Sequence, residues 1–512
     1  MNDLIYIEEP KLLFGLNQKI EDPRDGLTLF GPINDKSPFG INYGVVGTEA
    51  GIERFYRWIK SVNNFIAHPQ VSKRNLWIPF PGFNEVFRIP FAKRALYEKQ
   101  IDSNALKEIL KTEGDSFQRV YKIVSLYENI IAGLDKNSDE NINIWFVVSP
   151  ESIYHDCRPK SLIADPKVKI SGDVIRKRKE KAKEHRGGQD FLFEGQEGDY
   201  YAYEFDNDFR RQLKARRIMN NAKAPVQILR ESTLTPDDFK GKWGERIRDI
   251  QPESQVAWNL LSTVFYKCGG KPWRLSGIRD GVCYLGLVYK KLNSNENDRS
   301  SCCAAQMFLD SGDGVVFNGA VGPWKSGKYE EYHIDKKSAE DIIKKAVSSY
   351  EGLMGPGKLP KEIFIHGRTY LDDEEWKGFS SIEILGIKVF AIRIRHSNFR
   401  LFRPGRFPIL RGSAYIESVK KGYLWTTGFV PRLKTNPYQG FPQPLSIEIT
   451  RGEKEIKTVL EDIFALTKLN YNSCTYGDGE PITLKFAEKI GEILTAGPIE
   501  KDKAPLSFKY YI

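Results

Sequence analysis

The chain has 512 residues, with 77 Lys+Arg against 67 Asp+Glu, a formal charge of +10. Its 40% hydrophobic share, 12% of the chain being aromatic, can fill packed cores, which excludes wholesale disorder, and the length predicts roughly two to four domains. No apolar run approaches about 18 residues, the opening MNDLIYIEEP has no charged-then-apolar leader, and the six cysteines form no CxxC pair; a soluble, intracellular and cytoplasmic protein is expected.

Strand and helix patterns alternate, which predicts α/β architecture. Ile142–Val148 (INIWFVV) is a compact apolar strand that stops at Ser149-Pro150. Residues 165–200 are charged and glycine-rich with no apolar period, and read as a mobile insertion. Helical spacing over Asp208–Ile218 buries Phe209 and Leu213 and sets Arg210, Lys214 and Arg217 on another face. A short strand, Val226–Leu229, follows. The helix Glu253–Cys268 then buries Val256, Leu260, Leu261, Val264 and Phe265, and Gly269-Gly270 ends it, where a left-handed cap costs little.

A domain boundary is expected at Gly270–Pro272. Beyond it, Cys283–Tyr289, Cys303–Leu309 and Val315–Phe317 read as consecutive strands, with Gly312-Asp313-Gly314 turning between the last two. A helix (Ala339–Ser349) and a strand (Glu362–His366) come next, the order of an RNase H-like core. Helices near Glu455–Leu466 and Leu484–Leu494 close the chain.

Three basic clusters point to an anionic partner: residues 175–186 (IRKRKEKAKEHR), residues 209–217 (FRRQLKARR), and Arg393, Arg395, Arg400, Arg403, Arg406 and Arg411. The last is interleaved with Phe399, Phe402 and Phe407, a composition that suits a nucleic-acid backbone better than a merely solvated face. Other motifs read as structural. Gly322–Lys328 fits GxxxxGK, but Tyr329 stands where Ser or Thr must meet Mg²⁺. Asp310–Gly314 lacks a calcium loop's closing Glu and reads as a turn. The six histidines show no zinc-ligand spacing, His366 is expected in the core, and Asp372–Glu375 is expected as a solvated helix start.

Lys214 on one helix, Gln227 on the next strand and Lys267 in the last turn of the following helix can meet in one pocket. Two ammonium groups and an amide would there hold a terminal phosphate of about −1.5 to −2 charge.

These segments, FRRQLKARRIMNNAKAPVQIL and VFYKCGGK, resemble the 5′-phosphate pocket of the MID domain of Argonaute proteins. DPRDGLTLFGP and KFAEKIGEILTAG resemble the two ends of a prokaryotic MID–PIWI chain, and the likeness over nearly all of the sequence is to short Argonautes encoded beside a TIR–APAZ protein, the SPARTA systems. The resemblance implies a Rossmann-like MID domain (1–270) followed by an RNase H-like PIWI domain (271–512). It implies that Arg210, Lys214, Gln227 and Lys267 hold a guide's 5′-phosphate, with Arg210 where Tyr or His is commoner. A Mg²⁺ ion at that phosphate would be held by Gln227 and the terminal carboxylate of Ile512.

A slicing PIWI domain needs carboxylates that bind two metals. Val288 and Gly367 stand at two of those positions and only Glu488 keeps a carboxylate, so the resemblance implies no nuclease. Too short for N-terminal and PAZ domains, the chain would pair as a heterodimer with a TIR–APAZ protein, assembling further on target binding. A guide RNA paired to single-stranded DNA would then switch on NAD⁺ hydrolysis in the partner, as anti-plasmid and anti-phage defence. Two alternatives stay open: a nuclease using Glu488 with Asp310 or Asp313, and a scaffolding adaptor with a vestigial pocket.

Overall fold

The computed structural model describes residues 3–33, 39–69, 75–113, 116–137, 141–158, 208–291, 300–309, 314–318, 333–405, 408–438, 440–494, 496 and 506–512. The insertion at 165–200, the first basic cluster, Arg406, Phe407, the GxxxxGK segment, and Asp310 and Asp313 lie outside them. Among the described residues no helix is long and apolar enough to cross a membrane.

The strands of the first half are β1 (Asp3–Tyr6), β2 (Leu12–Leu13), β3 (Lys19–Ile20), β4 (Tyr43–Gly47), β5 (Tyr97–Gln100), β6 (Ile144–Ser149) and β7 (Val226–Arg230). The second half adds β8 (Arg274–Leu275), β9 (Val282–Lys291), β10 (Ser300–Leu309), β11 (Gly314–Asn318), β12 (Glu362–Gly367) and β13 (Lys388–His396). Then follow β14 (Ser413–Ser418), β15 (Lys421–Leu424), β16 (Leu445–Arg451) and β17 (Leu506–Ser507).

β5, β4, β6 and β7 form, in that order, a wholly parallel sheet. β4 and β6 are buried on both faces, so their sequences are apolar runs and do not alternate. Ile144, Phe146 and Val148 pack with Phe55, Trp58 and Ile59 of the helix Glu49–Val62. Trp145 and Val147 point the other way, toward Val120, Ile123 and Val124 of the helix Ser116–Asn137 and Phe209 and Leu213 of the helix Phe209–Met219.

The second sheet has ten strands, ordered β1-β14-β15-β16-β13-β12-β9-β10-β11-β17. β9, β10 and β11 run antiparallel, the helix Lys336–Met354 follows, and β12 returns parallel to β9. This is the expected RNase H-like order. Cys283, Leu285 and Leu287 pack against Ile342, Ile343 and Ala346 of that helix, while Tyr284 joins the opposite core. There the helix Ile482–Lys485 lies so close that a Cβ at Gly286 would run into the Thr483 carbonyl.

A cut at residue 270 does not separate the two sheets. β1 is an edge strand of the ten-stranded sheet, paired antiparallel with β14, and β2 joins β3 to β8 across the expected boundary. Glu9, just beyond β1, reaches Arg411 at 3.0 Å and Lys468 at 2.8 Å inside the second half. Arg411 is 2% exposed and also donates to Thr426 O, the Tyr438 hydroxyl (2.9 Å) and Thr467 Oγ1 (2.7 Å). It is thus a structural cation and no part of a basic surface. The expected closing helix Leu484–Leu494 is instead two short helices, Ile482–Lys485 and Ala487–Leu494, divided at Phe486.

Candidate anion-binding pocket

The helix Phe209–Met219 starts at Asp208, whose carboxylate accepts from the Arg210 and Arg211 N–H groups at 2.9 and 3.0 Å. With the helix N-terminus capped this way, an anion nearby must be met by side chains. The helix Glu253–Lys267 ends where Gly269 takes a φ of +93° and Gly270 N–H returns to Phe265 O at 3.0 Å. That stop leaves Lys267 in the last turn, where a cation suits the helix dipole.

Lys267 is 1% exposed, and its ammonium donates to Val226 O at 2.8 Å and to Gln227 Oε1 at 2.9 Å. Half-buried Lys214 donates to Tyr511 O at 3.2 Å. Both face one cavity of about 240 Å³, which Arg210 and Gln227 also line. The three residues singled out by spacing, and Arg210, which the resemblance adds, therefore meet in one place.

The second half of the chain closes this cavity with Asn472, Phe486, Lys489, Tyr511 and Ile512. Ile512 and Tyr511 are buried, at 6% and 4% exposure, so the apolar segment FKYYI packs its end against the cavity. Sequence spacing missed Asn472, Phe486 and Lys489 because they come from more than 200 residues away. On the rim, Arg211 pairs with Glu492 at 2.9 Å, joining the two halves.

The electrostatics favour an anion. Among the described residues neither Lys214 nor Lys267 forms an ion pair. Burial, then Arg210 and Lys489, pushes the Lys214 ammonium down to about 7. Burial, then Lys214 and Arg210, pushes Lys267 well below the usual lysine range. A dianion in the cavity would relieve this repulsion and take the donors' remaining hydrogen bonds.

Arg217 does not share the cavity. It is 3% exposed and pairs with Asp135 at 2.5 Å and Glu128 at 3.6 Å, both on the helix Ser116–Asn137 that covers this end of its own helix. Of the third basic cluster, Arg393 pairs with Glu448 at 3.2 Å, while Arg395, Arg400 and Arg403 are exposed. Phe399 lies on Tyr423 and Tyr415, with ring centroids 4.9 and 5.6 Å apart.

Val288 lies on β9 opposite Ala304, and Gly367 ends the adjacent parallel strand β12, one residue beyond the His366–Gly286 pair. The two positions thus sit at the same end of neighbouring strands. A side chain at Gly367 would have room, its nearest neighbour being Thr369 O at 3.7 Å. The side chains of Val288 and Glu488 are outside the described ones. His366 is buried, bonded to Thr483 Oγ1 at 2.9 Å, and burial pushes its pKa down to about 3, as suits a neutral core histidine.

Asp372, Asp373 and Glu374 are exposed at the helix start as expected, whereas Glu375 is buried. His333, Asp372 and Glu375 bring ligand-type atoms within 4.8 Å of one another. Glu375 is 0% exposed, and its carboxylate accepts from Tyr289 OH, Ile334 N–H and Asp372 N–H, with His333 Nδ1 at 2.8 Å. Asp372 in turn accepts from Glu375 N–H, a reciprocal capping box that uses these oxygens for the fold.

No family model matches the chain. It is 22% identical over 288 residues to the Argonaute of Aquifex aeolicus, a match covering 54% of this chain and 35% of that protein. In structure it resembles the Argonaute of Clostridium butyricum bound to a guide DNA and a 19-mer target DNA, with a TM-score of 0.59 at 18% identity over 100% of this chain and 55% of that one. It also resembles the crystal structure of the Aquifex aeolicus Argonaute, with a TM-score of 0.53 at 14% identity over 98% and 53% of the two chains. The chain spans between about a third and a little over half of these relatives. Its mixed α/β architecture, built on one large sheet, is the MID–PIWI fold of the Argonaute proteins.

Proposed function

We propose that this chain is a guide-directed nucleic-acid sensor that binds its target without cutting it. The observation carrying this reading is the convergence of Arg210, Lys214, Gln227 and Lys267 on a cavity whose two ammonium groups form no ion pair among the described residues. A 5′-phosphate supplies the charge these groups lack, and a guanidinium at Arg210 can stack on the first base. The guide is RNA, paired to complementary single-stranded DNA. Arg395, Arg400 and Arg403 offer exposed positive charge to the nucleic-acid backbone, while base pairing reads sequence.

Gln227 and Ile512 both border the cavity, and an amide oxygen and a carboxylate are the hard donors that Mg²⁺ takes. These two residues would hold the ion, which adds positive charge at the phosphate. Lys267 orients the Gln227 amide, and Lys214 lies against the backbone of Tyr511.

Two-metal hydrolysis requires carboxylates where Val288 and Gly367 offer none, so the PIWI half is inactive. Effector chemistry belongs to a TIR–APAZ partner that hydrolyses NAD⁺ once target pairing shifts the complex toward its active assembly.

The test is to purify the chain with that partner, extract bound nucleic acid, and end-label it before and after phosphatase. The reading expects short RNAs of narrow length with a 5′-phosphate, and NAD⁺ loss only after complementary single-stranded DNA is added. Heterogeneous nucleic acid, or none, would contradict it.

A further inference from the structure

Between β7 and the helix Glu253–Lys267 the chain makes a tight hairpin, residues 239–247. Ile247 N–H donates to Phe239 O at 3.0 Å, Gly241 N–H to Glu245 O at 2.6 Å and Gly244 N–H to Gly241 O at 3.1 Å. Gly244 takes a φ of +82°, and a Cβ at Gly241 would run into the Glu245 carboxylate. That carboxylate accepts from Trp243 N–H at 3.0 Å. The hairpin is tied to the body through Asp238, which pairs with Arg57 and, at 3.5 Å, with Arg54, whose guanidinium covers Phe239.

This frame holds Trp243 at 86% exposure, whereas every other described tryptophan is buried or half-buried. The nearby acids are occupied: Asp237 by Arg246 at 2.8 Å, Asp238 by Arg54 and Arg57, Glu245 by the turn itself. Lys240, just before the turn, and Lys242, within it, form no ion pair among the described residues, and the Lys242 ammonium lies 5.8 Å from the indole centroid. An exposed indole beside two lysines that pair with no acid among the described residues matches a polyanion that carries planar groups.

We propose that the Trp243 hairpin is a docking point for single-stranded nucleic acid, with a base stacked on the indole and the flanking phosphates on Lys240 and Lys242. A stable protein interface would bury about 800 Å² on each partner, and a membrane anchor needs an apolar face; one protruding ring supplies neither. No residue of the hairpin lines the phosphate cavity. The contact needs no terminal phosphate, so it stands or falls apart from the guide pocket.

The test uses the full chain and a fluorescent 5′-hydroxyl 20-mer oligothymidylate, read by anisotropy at low salt. Trp243→Ala should weaken binding by about tenfold or more, Trp243→Phe should retain most of it, and Lys240→Glu/Lys242→Glu should weaken it and flatten its salt dependence. An oligonucleotide of abasic sites should bind the native chain as weakly as the 20-mer binds Trp243→Ala. A 5′-phosphate on the 20-mer should leave the factor lost on Trp243→Ala unchanged, and an unchanged melting temperature for Trp243→Ala checks its fold. Equal affinity of the native chain and Trp243→Ala, or no difference between abasic and normal strands, overturns the proposal. So does a Trp243-dependent affinity for polyglutamate or anionic vesicles that the 20-mer does not share.

Discussion

Lys214 and Lys267 hold the account at the scale of single residues. A hydrogen bond to a charged group contributes about 1.5–3 kcal/mol, so Lys214→Ala should weaken binding of a 5′-phosphorylated strand by about 10- to 150-fold. A 5′-hydroxyl strand should lose little, and anisotropy with both strands measures the difference. The pH dependence has a definite sign. In the free protein the Lys214 ammonium is pushed from 10.5 down to about 7, so between those values the unfolded chain binds more protons and stability rises with pH. A bound dianion returns the proton. Affinity should therefore fall as pH rises from 7 to 9, and Lys214→Arg, which stays protonated, should flatten the profile. A profile shared by both proteins would assign the proton elsewhere. Spacing made Lys214, Gln227 and Lys267 legible because they lie on successive elements, and the family resemblance added Arg210. It misjudged Arg217, whose nominal face is covered by Glu128 and Asp135 from a helix 80 residues earlier, a contact that no local period encodes.

At the scale of elements, burial on one or both faces decided what could be read. β6, an unbroken apolar run, and the helix Glu253–Lys267, with its apolar stripe, could be predicted, whereas short β1, mostly exposed, says nothing of its partner β14 more than 400 residues away. Its attachment depends on Glu9. Burial alone would raise this carboxyl's pKa, but Arg411 and Lys468 outweigh that and hold it below its usual value. Removing one partner of a buried ion pair costs about 3–5 kcal/mol, so Glu9→Ala should lower stability to urea by that order. This stability should be lost as pH falls through the carboxylate range, since the native state resists protonating Glu9. A variant as stable as the native chain would mean that β1 is held by its strand pairing alone. Glu375 gives a parallel lesson. Its capping spacing after Asp372 is visible in the sequence, but its burial comes from Tyr289, His333 and Ile334, which only the fold brings near. Glu375→Ala should destabilise by about 2–4 kcal/mol, measured by urea unfolding, because several donors lose one acceptor.

At the scale of the whole molecule, neither half alone makes the pocket. Lys214, Gln227 and Lys267 come from the parallel sheet's surroundings, and Lys489, Tyr511 and Ile512 from the far end of the chain. A strand seated there bears on both halves at once, which is the geometry a sensor needs if occupancy is to bias an assembly equilibrium. The same molecule should leave its target whole. Incubated with guide, complementary single-stranded DNA and Mg²⁺ or Mn²⁺, it should return full-length target on a denaturing gel, and discrete guide-dependent products would contradict the inactive reading.

The most direct test of the central claim is equilibrium binding of one oligonucleotide sequence with and without a 5′-phosphate, to the native chain and to Lys214→Ala/Lys267→Ala. The account predicts that the phosphate tightens binding to the native chain by about tenfold or more and makes no difference to the double variant. Equal affinity of the two strands for the native chain would contradict it.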